Sequence, residues 1–76
     1  MGTDAYRKLR GLLVEARRSA GLTQADLASR LQRPQSFVSK YERGERRLDV
    51  VEFGEVAKAL SVDPAKLLDK FYRETQ

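Results

Sequence analysis

Between Gly21 and Gly44 the signals that end and start helices alternate so closely that only two short helices fit. Gly21 suits the left-handed residue that closes a preceding helix. Thr23 reads as an N-cap, with Asp26 at the third helical position, close to a capping box. Pro34 disfavours helical geometry at Arg33 and suits the first residue of a new helix. Gly44 stops that helix. One helix is therefore expected from Gln24 to about Gln32 and another from about Pro34 to Arg43. The turn between them is tight, as in a pair of helices packed at a steep angle.

The rest of the chain has the same helical period and no strand alternation. A first helix is expected from about Asp4 to Ala20, with Leu9, Leu13 and Ala16 on one stripe and Tyr6 and Leu12 flanking it. In the second helix Ala25, Ala28 and either Leu31 or Leu27 face inward. Val38 and Tyr41 anchor the third. A basic loop, Glu45-Arg46-Arg47-Leu48, follows. Asp49 then caps a fourth helix, with Glu52 at the reciprocal position, and Phe53, Val56, Ala57 and Leu60 form its apolar stripe. Asp63 and Pro64 start a fifth as cap and first residue. It buries Leu67, Leu68 and Phe71, with Tyr72 beside them. The expected fold is all-α, a compact five-helix single domain over residues 1–76, with only the last few residues frayed.

A chain of 76 residues buries only about 60% of the surface that its unfolded form exposes, so a subunit interface would help it. It has no cysteine and no histidine. That excludes a disulfide and a Cys/His zinc site, and removes two common sources of catalytic nucleophile and base. No metal or cofactor is called for, and nothing pairs a nucleophile with a base, so an enzyme is not expected. No apolar run approaches the ~20 residues of a membrane span. The opening MGTDAYRKLRGLL lacks the features of a secretory signal. With tyrosine at position 6, it is also a poor myristoylation site. The cytoplasm is the expected location.

The net charge is +4, and it is unevenly placed. Residues 1–29 carry +2, residues 30–47 carry +4 and residues 48–76 carry −2. The middle of the chain is either a polyanion-binding face or a solvated surface. Two short helices followed by a basic loop favour the former. A helix fits the major groove of B-DNA when a second helix supports it, polar side chains in its first turn reach base edges, and nearby cations hold phosphates.

Residues 22–44, LTQADLASRLQRPQSFVSKYERG, resemble the helix-turn-helix of phage repressor and Cro proteins, the XRE family. Residues 49–68, DVVEFGEVAKALSVDPAKLL, resemble the family's fourth and fifth helices, so the likeness runs from about Leu9 to Leu68. The Leu-Thr-Gln opening, the Gln-Ser pair and the Glu-x-Gly ending are jointly specific. The resemblance implies a lambda-repressor-like fold with its helix-turn-helix at about residues 24–43. It also implies a sequence-specific regulator of transcription, such as a repressor or autoregulator, that binds double-stranded DNA.

Roles follow at the matching positions. Gln35, Ser36, Ser39 and Lys40 are expected to read bases. Gln24, Arg43, Arg46 and Arg47 are expected on the DNA backbone. Phe37 belongs with them if it meets a thymine methyl or a sugar; otherwise it lies against the turn with Tyr41. Arg17 and Glu42 match a buried salt bridge between the first and third helices.

Two positions depart from the family pattern. Gln32 stands where glycine is usual, at a cost of about 1 kcal/mol if the left-handed geometry is kept. Pro34 stands where Ser or Thr is common and has no side-chain oxygen to cap with, so the helix start is expected to shift by a residue. Family members usually dimerise to read two half-sites. Val62, Leu68, Phe71 and Tyr72 are the candidates for that interface. The rival reading is a protein-interaction module of the same fold that has lost DNA binding. RNA binding has no aromatic platform to support it.

Overall fold

The computed structural model describes residues 2–75 and contains five helices, with no strand among them. They are α1 (Gly2–Ser19), α2 (Gln24–Leu31), α3 (Gln35–Arg43), α4 (Val50–Ala59) and α5 (Pro64–Glu74). α1 starts two residues before the expected Asp4 and ends one before Ala20.

Four helix ends close in the same way. After α1 the N–H of Leu22 bonds the carbonyl of Arg17 at 3.2 Å, and that of Gly21 bonds Arg18 at 2.9 Å. This is a Schellman closure, which needs one left-handed residue. Gly21 supplies it after α1 (φ 73°) and Gly44 after α3 (φ 82°). After α2 and α4 the same place is held by Gln32 (φ 55°) and Ser61 (φ 60°), residues with a Cβ. The turn geometry is thus kept although glycine is missing, which costs about 1 kcal/mol at each site.

The helix starts are equally local. Thr23 Oγ1 accepts from Asp26 N at 3.0 Å while the Asp26 carboxylate accepts from Thr23 N at 2.9 Å, a complete capping box. Asp49 and Glu52 form a second, at 2.7 and 3.0 Å. Asp63 caps α5 through Ala65 N at 2.9 Å. Pro34 is the N-cap of α3 rather than its first residue and offers no side-chain bond, so α3 begins at Gln35.

Tyr41, Leu13, Leu27, Val38 and Val56 are the largest fully buried side chains, and every one of α1 to α4 contributes to them. Leu12, Ala28, Phe53, Ala57, Leu60 and Leu67 complete the centre with Phe37. Full burial of one such side chain contributes about 1.5–3 kcal/mol. Leu27 is the inward leucine of α2, while Leu31 is half-buried. Ala25 is exposed, contrary to its expected inward position, because it precedes the Leu27–Ala28 face. Leu68 and Phe71 pack on the core from its edge, and Tyr72 is exposed. α2 and α3 form the most extensive helix pair; α1 supports α3 and α5, and α4 joins α2 to α5. Among the described residues no helix is long and apolar enough to cross a membrane.

Candidate nucleic-acid interface

The position of α3 is set by one carboxylate. Glu42 accepts from Arg17 Nε at 2.8 Å and Nη2 at 3.1 Å, and from Gln24 Nε2 at 2.8 Å. The remaining Arg17 nitrogen, Nη1, donates to the Leu22 carbonyl at 2.8 Å. One buried cluster therefore ties α1, the start of α2 and the end of α3. Both charges are nearly enclosed, with side-chain exposures of 10% for Arg17 and 6% for Glu42. The hydrogen bonds that Arg17 donates to Glu42 hold its pKa above the ordinary value despite burial. Gln24 thus buttresses α3 through Glu42 at the first position of α2.

With α3 fixed by its inner residues, its outer ones are presented to solvent. Gln35, Ser36 and Lys40 are exposed, and Ser39 is half-buried. Ser39 Oγ donates to the Ser36 carbonyl at 3.3 Å, so this hydroxyl is turned back along its own helix. Phe37 lies in the core and not on the outer face. The residue is 8% exposed, and its ring meets Tyr41 edge-on at 5.6 Å. Of its two expected positions this is the one against Tyr41, and the ring is a floor on which two cations rest. The Arg33 guanidinium lies 4.4 Å from the ring centre and that of Arg46 4.8 Å, and such cation–π contacts contribute about 0.5–2 kcal/mol.

Glu52 holds both arginines there. It takes Arg46 at 2.7 and 3.0 Å and Arg33 at 3.6 Å, while also serving the Asp49 capping box. The Arg46 hydrogen bonds, followed by the backbone N–H of Asp49, pull its pKa down to about 2. Arg33 reaches Glu55 as well, at 3.4 Å. Arg33, Pro34, Ser36, Phe37, Lys40 and Arg46 together enclose a shallow basic hollow beside the first turn of α3.

The basic loop is held from the other side by α1. Tyr6 Oη accepts from Leu48 N at 2.6 Å, and Arg47 lies 4.8 Å over the Tyr6 ring. Arg43 is exposed and paired with Glu45 at 2.9 Å. The structure therefore brings Ser36, Lys40 and Arg46 around one hollow, leaves Gln35 and Arg43 exposed on α3, and sets Arg47 over Tyr6. Arg33, Glu52 and Tyr6 are the parts of the site that sequence reasoning missed. Glu52 was legible only as a cap partner, because Arg46 meets it across an irregular loop with no helical period, and Tyr6 only as the flank of an apolar stripe, because Leu48 lies far away in sequence.

Comparison with known proteins bears on the family and the fold. A model of the helix-turn-helix family matches residues 13–67, more than half of the chain. A solved XRE-family like protein from Pseudomonas syringae pv. tomato str. DC3000 is 51% identical, with a TM-score of 0.93 over 97% of this chain and 90% of that one. The chain belongs to the XRE-type helix-turn-helix family.

This XRE-type chain is also similar to the restriction-modification controller protein C.AhdI from Aeromonas hydrophila. The two are 34% identical, with a TM-score of 0.74 over 82% of this chain and 94% of that one. The controller C.Esp1396I shares the fold, with a TM-score of 0.84 at 24% identity over 93% and 91% of the two chains. Among curated proteins no match is found.

Proposed function

We propose that this chain is a cytoplasmic, sequence-specific regulator of transcription, a repressor or autoregulator, which binds a pseudo-palindromic operator in double-stranded DNA as a homodimer. The observation that carries this reading is the outward set Gln35, Ser36 and Lys40 on a helix locked by the Arg17–Glu42–Gln24 cluster. Base reading needs such fixed projection, and a bidentate contact discriminates by about 1–3 kcal/mol per base. Gln35 suits adenine, Ser36 serves several bases, and Lys40 suits a guanine or a phosphate. Ser39, one turn on from Ser36, joins this set by turning its hydroxyl from the Ser36 carbonyl to a base. Gln24, Arg43, Arg46 and Arg47 hold the backbone on either flank, and Phe37 supports Arg46 from beneath.

The 34% identity to a restriction-modification controller protein supports that kind of control as one biological setting. Tyr72, exposed and edge-on to Phe71 at 5.1 Å, supports a dimer interface on α5, to which the half-buried Leu68, and Val62 from the preceding turn, would contribute.

Selection from a random duplex pool at two salt concentrations tests the reading. A pseudo-palindrome is expected, lost with Gln35→Ala and bound more weakly at the higher salt. Negligible binding even at low salt would leave the fold to a protein-interaction role.

A further inference from the structure

Helix α1 carries a second cationic surface beside the reading face of α3. Arg7, Arg10 and Arg18 recur at helical steps and share one side of α1. With Glu15 they face the end of α3, Glu42 and Arg43, across an open groove of about 610 Å³. Both carboxylates in its wall are engaged elsewhere: Glu42 by Arg17 and Gln24, Glu15 by Lys70 at 3.6 Å. Among the described residues Arg7, Arg10 and Arg18 have no acidic partner within ion-pair distance. The Arg10 guanidinium lies against Gly44, in space that any side chain there would occupy, and its Nε is buried without a hydrogen-bond partner. A partly desolvated guanidinium without an acceptor favours a site for an anion.

We propose that this groove is a second track for the phosphate backbone, holding a strand of the same duplex outside the segment that α3 reads. The inference rests on the DNA-binding reading of the chain. Three features favour a nucleic-acid backbone as the occupant. The wall of the groove is the end of α3 itself, so a duplex seated on α3 passes its mouth. Arg43 belongs to both surfaces. Arg7 and Arg18 lie eleven residues apart on one helix, ~16 Å along its axis, long enough to meet more than one phosphate. All the cations are guanidinium groups, which take phosphate oxygens in pairs.

The test is the salt dependence of binding to a 40-base-pair random-sequence duplex pool. Each neutralised phosphate contributes about 0.9 to the slope of log affinity against log salt. Arg7→Gln and Arg18→Gln are each expected to lower that slope by about one, and the double variant by about two, with thermal stability unchanged. Lys66→Gln with Arg73→Gln on α5 removes the same charge and is expected to leave the slope at the wild-type value. An unchanged slope in the double arginine variant, or an equal fall in the α5 control, overturns the track while leaving the regulator reading intact. Wild-type protein that fails to bind the pool even at low salt overturns the regulator reading, and the track with it.

Discussion

At the scale of single residues, Glu42 has the largest expected effect. Its carboxylate accepts three hydrogen bonds from two side chains and is almost enclosed. Removing it leaves the Arg17 charge buried without its partner, which typically costs about 3–5 kcal/mol. Urea denaturation of Glu42→Ala should show a loss of that size, and an unchanged midpoint would sink the assigned role. Tyr41 is the opposite case. Its ring fills the centre of the core, yet its hydroxyl is buried with no partner, and burial pushes its pKa up. Tyr41→Phe removes an unsatisfied polar group and keeps the packing, so stability should stay level or rise by about 1 kcal/mol. A loss above that size would mean the hydroxyl has a partner in solution. The Arg17–Glu42 pair was legible through resemblance to a family pattern. Phe37 was not, since it sits between outward Ser36 and inward Val38, and only the arrival of Arg33 and Arg46 over its ring decides its side.

At the scale of elements, starts were easier to read than stops. Thr23, Asp49 and Asp63 cap through bonds that span two or three residues, so a local pattern suffices. Gln32 and Ser61 end helices in a conformation that their side chains disfavour, and packing on either side imposes it. Gln32→Gly should therefore stabilise the domain by about 0.5–1 kcal/mol. Thermal melts check this, and a loss would show that the Gln32 side chain does more than tolerate its backbone. The loop between α3 and α4 has a pH signature. Glu52 titrates near 2 in the folded protein, below its ordinary 4.5, because Arg46 and Asp49 N–H favour its anion. A group depressed in this way stabilises the fold above its unfolded value, and the contribution is lost as pH falls from 4.5 towards 2. Wild-type melting temperatures should fall more steeply than those of Glu52→Gln across that window. Parallel curves would remove Glu52 from the network.

At the scale of the whole molecule, five helices and their shared core follow from periodicity and punctuation, whereas a subunit interface leaves no such period. α5 shows why. Leu68 and Phe71, with Val62 in the turn before it, are half-buried against the same domain, so an apolar stripe there reads as core whether or not a partner covers its edge. Only Tyr72, 59% exposed beside Phe71, distinguishes the edge, and this takes coordinates to see. The proposed dimer can be separated from DNA reading by comparing one half-site with two. Linking two reading helices through a subunit interface makes the second contact intramolecular, which raises overall affinity by about 10²–10⁴-fold without any new contact to a base. Tyr72→Glu places a charge on the proposed interface and leaves α3 untouched. It should shift sedimentation towards monomer and bind a single half-site duplex as wild type does. It should lose most of the two-site gain on the full operator. Equal loss on both duplexes would mean that the substitution perturbs the fold. No loss on either would place the interface elsewhere, and Val50 and Val51, 79% and 66% exposed at the start of α4, are then the surface to charge next.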